Sequence, residues 1–284
     1  MRTRIWVICI LSGLVFAVGL YFLQSSKNAK YAITFFPLDE TFFFTDATTN
    51  LDNFQDNLLN WTTLSSSEKP VYLRQDVSLL YENGFFKGIQ SKWEQDQQII
   101  NLKHPVPLHN TAVFEAISFH HGEIHQPSND ITSIQKMTFD KIYMHKNNQS
   151  FEPLSKKDER IAIIDQEKQE RLKKSWNKWI SEHDIDQSEY TVIPLTNLAD
   201  YEDNPLPGLS VEQSRATIGK LWEGLYKEYI LRLKEKKNEG KSHAMPLILL
   251  SKDSSHIYIL FELDGQQQIL LQKIPNVDSS TNPP

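Results

Sequence analysis

A histidine-rich stretch in the middle of the chain carries the side chains best suited to chemistry. It reads Phe119-His120-His121-Gly122-Glu123-Ile124-His125. If His121-Gly122 is a two-residue hairpin turn, strand alternation places His120, Glu123 and His125 on one face. Separations of roughly 5 to 8 Å would let two imidazoles and one carboxylate bind a single divalent cation. His120, Glu123 and His125 are therefore the candidate metal ligands, with zinc as the candidate ion.

The same alternation has a plainer interpretation. The face that carries the histidines is then the solvated side of a hairpin whose dry side is Ile117, Phe119 and Ile124. Because exposed imidazoles titrate near neutral pH, a proton-sensing patch is a further alternative. We expect no bound cofactor on this interpretation, and zinc is the alternative.

The signatures of common enzyme classes are absent from the sequence. It has no His-Glu-x-x-His or Gly-x-Ser-x-Gly motif, and its 10 glycines are scattered singly rather than grouped in a phosphate-binding loop. The sequence therefore predicts no catalytic residues and no cofactor-binding residues.

Composition and charge exclude further classes of protein. Of the 284 residues, 39% are hydrophobic and 23% charged, which is typical of a globular chain. The formal net charge of -6 argues against nucleic acid as a partner. A single cysteine, Cys9, excludes an intramolecular disulfide framework.

The N-terminal region predicts a membrane anchor. Ile5 to Leu23 is free of charge and, as a helix, spans about 28 Å, close to the hydrocarbon thickness of a bilayer. Arg2 and Arg4 precede it, which favours a cytoplasmic stub at residues 1–4 and an extracytoplasmic remainder. The predicted location is the cell membrane, single-pass; the alternative is secretion after cleavage of a signal peptide.

The secondary structure predicted for the first half of the chain is mostly β. Asn83-Gly84 between two apolar runs predicts a type I′ hairpin. Apolar residues at three- or four-residue steps between Asn50 and Leu64 predict a helix; they are Leu51, Phe54, Leu58 and Trp61. The other runs up to residue 150 are strand-like, so residues 24–150 are predicted to form a lobe rich in antiparallel β-structure.

The second half predicts helices followed by strands. One amphipathic helix is predicted from an N-cap at Ser155 to Glu182, and a second follows a capping box at Ser210. Asp264-Gly265 predicts another type I′ turn within a C-terminal β-meander. Residues 151–275 thus form the second predicted lobe, and residues 276–284 a disordered tail.

These patterns together predict an α+β fold: an N-terminal transmembrane helix, an antiparallel-β-rich lobe, and a second lobe of two long amphipathic helices with a C-terminal β-meander. The function expected is that of a non-catalytic binding or regulatory module of a bacterial cell envelope. Its expected partners are the membrane, through Ile5 to Leu23, and an envelope protein or wall component. The alternative is a metal-binding protein or metal-dependent envelope enzyme that uses His120, Glu123 and His125.

Overall fold

The computed structural model describes residues 33–39, 41–54, 57–235 and 243–275, and most of them lie in antiparallel strands. The strands are β1 (Phe44–Phe54), β2 (Leu58–Glu82), β3 (Phe85–Pro107), β4 (Ala112–His125), β5 (Ile131–Asn147), β6 (Ser150–Pro153), β7 (Tyr190–Pro194), β8 (Leu247–Ser251), β9 (His256–Leu263) and β10 (Gln266–Lys273). The helices are α1 (Arg160–Glu182), α2 (Val211–Leu225) and α3 (Leu231–Glu235), with a π-helical turn at Tyr226–Ile230 and 3₁₀ turns at Gln187–Glu189 and Leu195–Tyr201.

The balance of these elements corrects the predicted α+β fold class. Strands account for 52% of the described residues and helices for 25%, so this part of the chain is mostly antiparallel β. Much of the difference comes from two unusually long strands, β2 with 25 residues and β3 with 23.

The helix predicted between Asn50 and Leu64 is wrong, since this segment contributes to β1 and β2. Leu51 pairs with Trp61 and Phe54 with Leu58 across the two antiparallel strands. Paired residues share one face of a sheet, so cross-strand pairing aligns these side chains without a helix. Leu51 and Trp61 are both buried there.

The predicted transmembrane helix, Ile5–Leu23, lies outside the described residues, as do residues 1–4 and 276–284. Among the residues that are described, no helix combines the length and the apolar character needed to cross a bilayer. α1 has 23 residues, but lysine, arginine and glutamate side chains are spread along it, so it is not apolar enough to cross. The prediction of a single-pass protein of the cell membrane is corrected on this ground.

The larger sheet has six strands in the order β1-β2-β4-β5-β6, with β3 along the other side of β2. β2 bends where its register with β3 shifts, between Ser66 and Val71. Trp61 Nε1 donates a hydrogen bond of 3.1 Å to Ser78 Oγ, although 17 residues of straight strand would separate them by about 56 Å. The two halves of β2 therefore face each other across a closed interior.

The second sheet has four antiparallel strands in the order β10-β9-β8-β7. Every residue of its inner strand β8 is buried. One apolar core joins this sheet to α1, α2 and the outer face of β2 and β4. Within that core Phe119 of β4 stacks on Trp222 of α2, with ring centroids 5.1 Å apart.

A short segment before β1, residues 33–39, reaches elements far along the chain. Phe35 N donates a hydrogen bond of 3.1 Å to Glu223 Oε2 on α2, and the Phe35 ring lies against Gly219 one turn earlier. Leu38 forms a parallel bridge with Ser133 of β5. Gly219 leaves the room that the Phe35 ring occupies.

Several local predictions are confirmed. Asn83-Gly84 joins β2 to β3 and Asp264-Gly265 joins β9 to β10, and all four residues have positive φ. The capping box of α2 forms between Ser210 and Gln213. The N-cap predicted at Ser155 is wrong, because α1 begins at Arg160 with Glu159 in the N-cap position.

The two hairpin glycines provide a test of how the β2–β3 tip packs. Gly84 and Gly265 have φ of +79° and +74°, but a Cβ on Gly84 would lie 2.7 Å from Leu172 of α1, whereas a Cβ on Gly265 meets nothing within 4 Å. We expect Gly265→Ala to cost about 1 kcal/mol, from backbone strain alone. Gly84→Ala should cost about 2 to 4 kcal/mol, because strain and overpacking add. Urea unfolding measures both; equal losses would show that the tip does not press on α1.

Candidate functional site

The hairpin turn predicted at His121-Gly122 is wrong, because the histidine-rich stretch does not turn there. β4 continues through it to His125, hydrogen-bonded to β2 on one side and β5 on the other. The glycine at position 122 instead allows Ile134 to pack closely against β4, because a Cβ on Gly122 would lie 2.8 Å from Ile134 Cγ1.

A continuous strand separates the three predicted metal ligands. Alternation along β4 sends His120 to one face and Glu123 and His125 to the other. His120 is fully buried in the interior enclosed by β2. His125 Nε2 lies 2.5 Å from Glu123 Oε1 at the surface, and its ring stacks on Tyr72 at 3.7 Å. Within the described ranges, no group of three His, Cys, Asp or Glu side chains is placed to hold a metal ion.

His120 instead lies at the centre of a buried hydrogen-bond network. Its Nδ1 is 2.9 Å from Asp76 Oδ2, and its Nε2 is 2.9 Å from Thr138 Oγ1. Carboxylate, imidazole and hydroxyl follow one another as in a nucleophilic triad. Thr49 of β1 occupies the open side of the hydroxyl, with 2.6 Å between the two Oγ1 atoms. A substrate carbonyl could reach this hydroxyl only if β1 were displaced. In this structure the hydrogen bonds instead connect β1, β2, β4 and β5.

The same interior holds a buried cation. Arg74 is fully buried and donates a hydrogen bond of 2.7 Å to the carbonyl oxygen of Gln98. It also donates to the hydroxyls of Ser65 and Ser67. Burial lowers the pKa of the guanidinium, and the carboxylate of Asp76, 3.8 Å away, acts in the opposite direction. Asp76 thus balances Arg74 and orients His120.

A second polar row, buried at Gln75 and His121 and partly exposed at Gln135, crosses the opposite face of the sheet. Gln75, His121 and Gln135 are register neighbours on β2, β4 and β5. Both amide atoms of Gln75 and Nδ1 of His121 have no hydrogen-bond partner among the residues that the structure describes. Burial lowers the pKa of His121 to about 4, so the imidazole is neutral near neutral pH. His121 Nε2 lies 3.2 Å from Ser133 Oγ.

Sequence reasoning missed the partners of His120 although a signal was present. Polar residues alternate along β2 at Arg74, Asp76 and Ser78, and along β4 at Ser118 and His120. Such alternation is the usual pattern of a solvated face. Here β1 and the first half of β2 cover that face, so the same pattern lines an interior.

At the surface, β10 presents an open strand edge. In the described residues β10 pairs with β9 alone. It has no proline, and no charge before Lys273. The exposed fractions of Ile269 and Leu271 are 36% and 60%.

The hairpin geometry fixes which backbone groups of β10 are available. Asp264 and Gly265 form a two-residue turn, so Leu263 and Gln266 are a hydrogen-bonded pair. Hydrogen-bonded and non-hydrogen-bonded pairs alternate in an antiparallel ladder. The N–H and C=O groups of residues 267, 269, 271 and 273 therefore point away from β9.

Removal of Asp76 tests the buried network. Asp76→Ala should lower the free energy of unfolding by about 3 to 5 kcal/mol, because it leaves the Arg74 charge buried without its counterion. Asp46→Ala removes an equal charge from the exposed surface of β1 and should cost no more than about 0.5 kcal/mol.

A double variant separates loss of the counterion from loss of packing. Replacing the pair together, with Arg74→Met and Asp76→Leu, should recover much of the stability lost in Asp76→Ala. Chemical denaturation measures all three variants. A double variant no more stable than Asp76→Ala would contradict the ionic account.

His121 gives a prediction about pH. Its folded pKa of about 4 lies below the ordinary value of 6.5, so the unfolded chain binds more protons between these values. Stability from this group is complete above pH 6.5 and should fall by about 3 kcal/mol as the pH drops towards 4. His121→Gln should lose this part of the pH dependence.

The control for this pH dependence is His104→Gln, at an exposed position of β3. Unfolding free energies measured between pH 4 and pH 7.5 should show the native pH profile in His104→Gln. Parallel profiles for the native chain and His121→Gln would contradict the assignment.

Comparisons with known proteins assign no family. No family model matches the chain, and no curated protein matches it. A solution structure of a protein from Arabidopsis thaliana aligns with 43% of this chain and 93% of its own, at 10% sequence identity and a TM-score of 0.26. A likeness at that TM-score carries no argument about fold or function.

Proposed function

We propose that this chain is a non-catalytic binding module that adds an extended segment of a partner protein to the free edge of β10. The observation that carries the proposal is an eight-residue edge strand without proline, uncharged up to its last residue, that exposes Ile269 and Leu271. Extended peptides bind such edges through main-chain hydrogen bonds, while side chains at alternate positions supply specificity.

Two other edge strands of the described sheets, β3 and β7, carry features that discourage strand addition. β3 carries charges and prolines along its length: Lys87, Lys92, Glu94, Asp96, Lys103, Pro105 and Pro107. β7 has five residues and ends at Pro194. Charges, prolines and short length are the usual protection of an edge strand. The first seven residues of β10 contain neither charge nor proline, which distinguishes this edge from the edges of β3 and β7.

Contacts with α2, the apolar core and β9 hold β10 in its extended form. Gln272 Nε2 donates a hydrogen bond of 3.0 Å to the carbonyl oxygen of Thr217 on α2. Leu270 packs against the apolar core, and β9 pairs with all eight residues of β10. A strand already fixed in extended form loses little further entropy when a partner binds.

The exposed side chains define the partner's chemistry. Ile269 and Leu271 lie on one face of β10, two residues apart. A complementary segment places apolar side chains opposite both and brings no charge between them, since burying an unpaired charge is costly. The expected partner is an extended, mainly apolar or amide-rich peptide segment.

Capped octapeptides test this proposal. Peptides with apolar residues at alternate positions should bind the full chain and slow hydrogen exchange at the amides of residues 267, 269, 271 and 273. Peptides with lysine at those positions should bind at least tenfold more weakly. Absence of protection at these four amides with every peptide would contradict strand addition.

Variants make the test specific to the edge. Leu271→Pro removes an N–H that points away from β9, so it should abolish peptide binding while the β9–β10 ladder is kept. Ile163→Lys alters a residue of α1 that is 59% exposed and should leave peptide binding unchanged.

A further inference from the structure

We infer that the segment added to β10 is β10 of a second copy of this chain. The two copies are related by a two-fold axis that passes between Leu270 of one copy and Leu270 of the other. This inference rests on the proposed use of the β10 edge and names its partner. Three features of β10 support the inference: its outward backbone groups, the order of its side chains and the charges it carries.

The outward backbone groups limit the possible registers. Two antiparallel copies of β10 can bond only through residues 267, 269, 271 and 273 of each. Odd-numbered residues must therefore face odd-numbered residues. An axis through Leu270 satisfies this condition, because it pairs residue 269 with residue 271 and residue 267 with residue 273. The four pairs exchange eight hydrogen bonds.

Side-chain order selects this register over its neighbours. With the axis at Leu270, Ile269 faces Leu271 of the second copy and both exposed apolar side chains are covered. An axis at Ile269 places Leu271 opposite the amide of Gln267, and an axis at Leu271 places Ile269 opposite the charge of Lys273. Only the central register of these three pairs apolar with apolar on both sides.

The remaining side chains are compatible with this register. On the other face Gln268 lies opposite Gln272 of the second copy, and paired amides supply both donors and acceptors. Lys273 lies opposite the uncharged Gln267, so no like charges face each other. The two four-stranded sheets become one antiparallel sheet of eight strands. Because the interface is isologous, the assembly closes at two copies and leaves no further β10 edge.

Cysteine crosslinking tests the register directly. In a Cys9→Ser background, chains with Ile269→Cys are mixed with chains with Leu271→Cys under mild oxidation. Directly opposed residues of a ladder lie within disulfide reach, with Cα atoms about 5.5 Å apart. The mixed 269–271 disulfide should form at least tenfold faster than either like pair. A like pair that forms as fast as the mixed pair would overturn the register.

Sedimentation equilibrium of the full chain tests the partner. Leu271→Lys should raise the dimer dissociation constant at least tenfold, and Ile163→Lys, matched in exposure, should leave it unchanged. A chain that binds octapeptides at β10 but shows no dimer sensitive to Leu271→Lys would overturn the second-copy inference and leave the proposed function standing. A chain that does neither would overturn both.

Discussion

The buried ion pair between Arg74 and Asp76 is the constraint on which the large sheet depends. A guanidinium in a closed interior is tolerated only with a counterion and several acceptors around it. Ser65 and Ser67, which lie before and at the β2 bend, and Gln98 of β3 supply these acceptors to Arg74, which lies after the bend. The bend therefore brings Arg74 to the acceptors that its buried charge requires.

Local backbone chemistry was predictable from the sequence. Asn83-Gly84 and Asp264-Gly265 form the expected turns because positive φ is a property of those residues themselves. Pairing between distant segments was not predictable in this way. Leu51 and Trp61 recur at helical spacing, yet they align because two strands pair around a loop, and single-sequence periodicity does not separate these cases.

The candidate site and the proposed binding edge show the same division between local and long-range information. His120 belongs to an alternating polar pattern that a solvated surface would share, and it is an interior residue because β1 and the first half of β2 cover it. The β10 edge is a property of strand order in a sheet. The sequence of Gln266–Lys273 shows a strand, but its outer position follows from where β7, β8 and β9 lie.

The segment 33–39 affects how the chain reaches its final form. Strands β1 to β6 are complete by Pro153, so their ladder can close while the rest of the chain is still being synthesised. Phe35 must wait, because Gly219 and Glu223 are made more than 180 residues later. The start of the described chain is thus among the last parts to settle, and it is bound between α2 and the edge of β5 only after α2 exists.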